Sequence, residues 1–136
     1  MSIQFEGLEE VLNSLDNLTD MVNYSKGLEK ACMMVERTAK QKAPKGTGEL
    51  RRSITSKVNG LEGVVYTPLE YAPYIEYGTG LFAENGGRQD VPWRYKDDKG
   101  EWHTTKGIHP SPYMRPALNE NREAILRVIK ESMKND

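Results

Sequence analysis

The chain has 136 residues, 37% of them apolar and 29% charged, with a formal net charge of −1. That length suits one domain, 1–136, and that charge gives no global field to draw nucleic acid or an anionic membrane. The one cysteine, Cys32, excludes an internal disulfide framework and a thiolate metal site, and no apolar run approaches the roughly 18 residues that span a bilayer.

Ser2 to Glu6 alternates, with Ile3 and Phe5 on one face, as a short strand does. Leu8, Val11, Leu12, Leu15 and Leu18 come next at helical spacing and predict a helix from about Leu8 to Leu18. A longer helix is expected from about Asp20 to Ala43, with Leu28, Ala31, Cys32, Val35 and Ala39 as its inner stripe and Pro44 as its stop. Cys32 on that stripe reads as a small buried hydrophobe rather than a nucleophile.

From Leu50 to Pro68 the period changes to two. Asn59-Gly60 between Ile54-to-Val58 and Leu61-to-Tyr66 is a strong hairpin signal. One or two helical turns are expected around Tyr71 to Tyr77, with Tyr71, Tyr74 and Ile75 on one face and Gly78 at the end. Leu81 to Asp90 reads as a glycine-rich loop with Gly86-Gly87 as its loosest point. A second hairpin should pair Val91-to-Tyr95 with Glu101-to-Thr105 and bring Trp93, Tyr95 and Trp102 together. The last helix is expected to start near Ser111 or at Pro116 and to carry Leu118, Ile125, Val128, Ile129 and Met133 inward. The fold class is therefore α+β: two N-terminal helices and a C-terminal helix on one face of a small antiparallel sheet, with a protruding hairpin arm at 81–107.

Chemistry is sparse. The two histidines, His103 and His109, have no partner cysteine or carboxylate at a recognisable spacing, so neither a catalytic triad nor a zinc site is indicated. Gly78-Thr79-Gly80 and Gly46-Thr47-Gly48 lack the rest of a phosphate loop and read as turns. No catalytic residue, cofactor or metal is expected. Charge is segregated: Glu6, Glu9, Glu10, Asp16 and Asp20 precede the first base, Lys26, while Arg37, Lys40, Lys42, Lys45, Arg51, Arg52 and Lys57 dominate the next stretch of chain. The segment 37–57 leaves a small DNA-binding or DNA-transit module as the alternative reading, and complementary faces between copies as another.

Three cassettes stand in order: Ala43-Pro44-Lys45-Gly46-Thr47-Gly48-Glu49-Leu50-Arg51-Arg52-Ser53-Ile54, Tyr71-Ala72-Pro73-Tyr74-Ile75-Glu76-Tyr77-Gly78-Thr79-Gly80, and His109-Pro110-Ser111-Pro112-Tyr113-Met114-Arg115-Pro116-Ala117-Leu118. Together they resemble the tail-component, or neck, proteins of long-tailed double-stranded-DNA bacteriophages, encoded between head-closure and tail-terminator proteins. The resemblance implies a non-enzymatic virion protein, assembled in the bacterial host cytoplasm. It would act in head–tail joining or tail completion as a ring-like homo-oligomer. Its implied contacts are head-closure, tail-terminator or tail-tube proteins, with no membrane and at most non-specific contact with DNA. Gly48, Leu50, Arg51, Ser53, Glu76, Gly78, Thr79, Pro112, Arg115 and Pro116 match the family pattern as structural positions. Tyr71, Tyr74, Tyr77, Leu81, Phe82, Trp93 and Trp102 are the candidate partner-interface residues, because large amphipathic rings favour interfaces. Two sets of contacts are also expected: Tyr71, Tyr74 and Ile75 pack near Met114 and Leu118, and Glu76 accepts hydrogen bonds from Arg115, Arg51 or Arg52.

Overall fold

The computed structural model describes residues 1–4, 8–84 and 91–134. Phe5 and Glu6 of the expected first strand, and Gly86, Gly87 and Asp90 of the expected loop, lie outside the described residues. The fold is α+β, with antiparallel sheets of three and two strands and five α-helices among the described residues. It divides into two compact units, Met1–Pro68 with Tyr113–Asp136, and Leu69–Pro112.

The first unit is built on α2, Leu18–Lys42, which at 1.5 Å per residue is about 37 Å long. Its start is earlier than the expected Asp20 because Asn17 is the N-cap. The Asn17 side chain accepts from the Asp20 N–H at 2.9 Å, and the Asp20 carboxylate accepts from the Asp16 N–H at 3.0 Å. The same cap cuts short the preceding helix, α1, which spans only Glu9–Asn13 instead of reaching Leu18. Ser14 closes it by donating its hydroxyl to the Val11 carbonyl at 2.6 Å. At the other end Ala43 turns extended, the conformation that a following proline imposes.

A further helix, α3 at Glu49–Ser53, replaces the extended backbone expected from Leu50 onward. It is one turn long, too short for periodicity to reveal. Gly48 precedes it at φ +82°, a left-handed conformation that suits glycine. Strands β2, Thr55–Asn59, and β3, Glu62–Tyr66, form the expected hairpin. Asn59 pairs with Glu62, so the two-residue turn is Gly60-Leu61, with positive φ at Gly60 alone. Glycine first is the demand of that tight turn. Strand β1, Ser2–Gln4, adds antiparallel to β3, giving the order β1-β3-β2.

Helix α2 packs on β2 and β3, and α5, Met114–Lys134, packs along α2 and against β1. Leu28, Ala31, Cys32, Val35 and Ala39 of α2 are buried, as are Met114, Ala117, Ile125 and Ile129 of α5 and Ile54 and Val65 beneath them. Removing each large aliphatic side chain from water contributes about 1.5–3 kcal/mol. Gly27 sets how closely the two long helices approach, since a methyl there would lie 3.0 Å from the Ile129 Cα. Lys42 and Glu120 pair across the helices at 2.8 Å, and the Asn121 amide donates to the Thr38 hydroxyl at 3.0 Å. Pro116 falls in the first turn of α5, where backbone N–H groups have no intrahelical acceptor. The helix therefore starts at Met114, between the two starts expected from sequence.

The second unit holds α4, Ala72–Tyr77, a short 3-10 turn at Gly80–Phe82, and the hairpin β4, Trp93–Lys96, with β5, Trp102–Thr105. Gly78 ends α4 at φ +81°; a methyl there would meet the Ile108 carbonyl oxygen at 2.9 Å. The chain then runs beside residues 106–111. Thr79 N–H donates to Ile108 at 3.0 Å, Leu81 N–H to Lys106 at 2.8 Å, and Ser111 N–H to Ile75 at 2.8 Å.

Candidate functional site

The aromatic cassette folds as the short helix expected, but with a different face inward. Ala72 and Glu76, four residues apart, are buried, while Tyr71 and Tyr74, three apart, face outward. Tyr74 is 57% exposed. Tyr71 and Tyr74 are thus exposed, against the expectation that they pack near Met114 and Leu118, while Ile75 is half-buried. The short side chain of Ala72 allows close approach where the rings would not fit. Glu76 is wholly buried, a place a carboxylate occupies only when its polar atoms are satisfied.

The other candidates divide in two. Leu81 and Trp102 are exposed, Trp102 to 59%. Tyr77, Phe82 and Trp93 are half-buried. Phe82 stacks on His109 with ring centroids 3.8 Å apart, and the Trp93 ring lies against Gly80, where an added methyl would approach it to 2.7 Å. The hairpin register separates the expected aromatic trio. Tyr95 stands opposite His103 and Trp93 opposite Thr105, whereas Trp102 stands opposite Lys96 on the other face. A strand alternates sides with period two, so an even offset was needed and 95 to 102 does not supply it. Trp102 instead lies under the Arg94 guanidinium, 5.0 Å from ring centroid to Cζ.

The structural positions of the first cassette are similarly placed. Leu50 is buried. Ser53 donates to the Leu50 carbonyl at 2.6 Å and lies 2.7 Å from the Thr67 hydroxyl. Arg51 has its Nε out of water with no hydrogen-bond partner among the described residues. In the second cassette the Thr79 hydroxyl accepts from the Ile108 N–H at 3.0 Å. Pro112 is exposed, and Arg115 and Pro116 are half-buried at the start of α5.

One histidine does have a carboxylate partner, against expectation. His103 Nε2 lies 2.6 Å from Asp97 Oδ2. The hairpin register folds residues six apart onto each other, a proximity that linear spacing does not reveal. Asp97 Oδ1 accepts from the Lys99 and Glu101 N–H groups at 2.9 and 2.8 Å. The His103 hydrogen bond first, and the Glu101 amide second, hold the Asp97 carboxyl below the usual carboxylate range. Asp97, Glu101 and His103 bring ligand atoms within 4.8 Å of one another and are the set among the described residues with metal-ligand chemistry. Both Asp97 oxygens are already engaged, so the arrangement works as a staple for the turn. Cys32 is buried, and burial, with Glu36 nearby, pushes its thiol up to about 11, which keeps it protonated and unreactive.

The basic segment is partly neutralised, with Lys40 3.5 Å from Glu36 and Lys42 paired to Glu120. Leu18, expected on the apolar stripe of the preceding helix, is exposed on α2, and sequence reasoning passed over three further exposed apolar residues there, Met21, Val22 and Met33. Their signal was present in the sequence: they fall off the stripe that the buried residues define.

No helix among the described residues is long and apolar enough to cross a membrane. No curated protein and no solved structure matches the chain. A family model does: that of the HK97-gp10-like family, described as "Bacteriophage HK97-gp10, putative tail-component", matches residues 8–78. The match runs from the residue before α1 to the glycine that ends α4, and so takes in the first cassette and most of the second. It is more than half of the chain, which therefore belongs to the HK97-gp10-like family of bacteriophage tail components.

Proposed function

We propose that the protein is a non-enzymatic structural component of the virion that acts in head–tail joining or tail completion. The family match over residues 8–78 carries this reading. The exposed residues supply its physical means. Tyr71, Tyr74, Leu81 and Trp102 present rings and an aliphatic side chain to solvent, the residue types that anchor protein interfaces. They form the docking surface for head-closure, tail-terminator or tail-tube proteins. The helices and the three-stranded sheet are the scaffold, and the β4–β5 hairpin is the arm that meets the partner. Copies of the chain assemble around the tail axis in a ring.

Deletion of the gene from a phage that encodes this chain tests the proposal. Separate filled heads and finished tails, joined again when the wild-type protein is supplied, are the expected result. Supplying a doubly substituted Tyr71→Ser, Tyr74→Ser protein should leave heads and tails apart, although the protein folds. Normal titres from the deletion phage would overturn the proposal.

A further inference from the structure

The outer face of α2 carries a stripe that is symmetric end to end. Leu18, Val22, Lys26, Glu29, Met33 and Arg37 are separated by four, four, three, four and four residues, and all six are exposed. At 3.6 residues per turn they fall within roughly 100° of the helix circumference. The stripe reads the same from either end about a midpoint between Gly27 and Leu28, and its chemistry is complementary rather than identical about that point. Leu18 mirrors Arg37, Val22 mirrors Met33, and Lys26 mirrors Glu29.

We infer that this stripe is a dimerisation seam, on which α2 of a second copy of this chain lies antiparallel about a two-fold axis. Such an axis makes every contact twice. Val22 of each copy packs on Met33 of the other, and Lys26 of each pairs with Glu29 of the other. Leu18 lies along the aliphatic stem of Arg37, a stem well suited to cover an apolar neighbour. None of the ion pairs among the described residues uses Lys26, Glu29 or Arg37.

Two further observations favour a second copy as the occupant. Leu18 is 76% exposed and Met33 57%, an apolar load at both ends of one face that a single antiparallel contact covers at once. Charge is segregated to match. Asp16 and Asp20 flank Leu18, while the far end carries Arg37, and Lys40 with its partner Glu36, around a hollow of about 470 Å³ that Met33 and Arg51 also line. Antiparallel pairing sets each acidic end on the other copy's basic end. Parallel pairing would set Lys26 against Lys26 and Glu29 against Glu29, which disfavours it.

The test is sedimentation velocity of the full chain over a concentration series at low and physiological salt. A monomer–dimer equilibrium that weakens with salt is expected, because exposed charge pairs are screened over about 10 Å at 0.1 M. Lys26→Glu alone and Glu29→Lys alone each place like charges across the seam, and each should weaken dimerisation by roughly tenfold. Mixed in equal amounts the two variants regain opposite charges at both contacts and should form a heterodimer about as tight as the wild-type dimer. Val22→Asp should weaken dimerisation at any salt. All three substitutions are on exposed positions, and unchanged circular dichroism confirms that each variant is folded. Three results would each overturn the inference. These are a wild-type chain that sediments as a monomer throughout, a closed species larger than two, and a mixture no tighter than its components. The seam does not depend on the virion role, so failure of one leaves the other standing.

Discussion

Residue by residue, the second unit separates side chains that hold the fold from side chains that face outward. Tyr74 belongs to the second group. Tyr74→Ala should change stability by no more than about 0.5 kcal/mol, as for surface positions outside special features, and urea denaturation would show it. The same substitution should impair assembly if the ring is an anchor. Asp97 belongs to the first group. Its carboxyl is held below the usual range by His103 and the Glu101 amide, so the folded state favours the ionised form. The resulting stabilisation is present above the ordinary carboxylate range and is lost as pH falls through the lowered value. Amide exchange at Lys99 and Glu101 should therefore accelerate on acidification, and Asp97→Ala should reproduce that loosening at neutral pH. Exchange that stays slow in Asp97→Ala would show that the staple is dispensable. These residue roles were unevenly legible. The lone buried thiol was readable from its place on an apolar stripe. The His103 partner was not, because it depends on hairpin register.

At the level of elements, long periodic segments were the readable ones. Helix α2, the hairpin β2–β3 and the body of α5 were all expected near their observed positions, the helices because they bury repeating apolar faces and the hairpin because Asn59-Gly60 marks its turn. The errors fall at ends and in short pieces, where one hydrogen bond decides the outcome. The Asn17 cap started α2 before Asp20 and thereby shortened α1, and α3 escaped notice because one turn has no period. Orientation was the other gap. Tyr71 and Tyr74 were correctly placed on one face of α4, but nothing local said that Ala72 and Glu76 would take the inside. The seam between α2 and α5 makes a clear element-level prediction. Gly27 has its would-be methyl 3.0 Å from the Ile129 backbone and 3.1 Å from the Ser132 hydroxyl. Gly27→Leu should force the helices apart and destabilise by about 1–3 kcal/mol, the usual cost of overpacking. The gain in helix propensity, about 1 kcal/mol, offsets only part of this. Ile129→Ala at the same seam should cost about 2–5 kcal/mol through the cavity it leaves. Thermal or chemical denaturation reports both.

For the whole molecule, membership of a phage tail-component family fixes the class of role, and the distribution of exposed groups suggests how it is performed. One face of α2 is suited to a second copy, and the rings of α4 and the β4–β5 hairpin are suited to other proteins. The aromatic residues are divided: Tyr24 and Tyr113 are buried in the core, while Tyr71, Tyr74, Tyr95 and Trp102 are exposed. The sequence order of the three cassettes made the family legible. The surfaces were not, because exposure is a property of the folded chain. Electron microscopy of purified virions, with this chain traced in density, decides the matter most directly. The chain should appear at the head–tail junction in several symmetric copies, with Tyr71, Tyr74 and Trp102 against neighbouring proteins. Virions that contain no density for the chain, or that place these residues in open solvent, would contradict the proposed role.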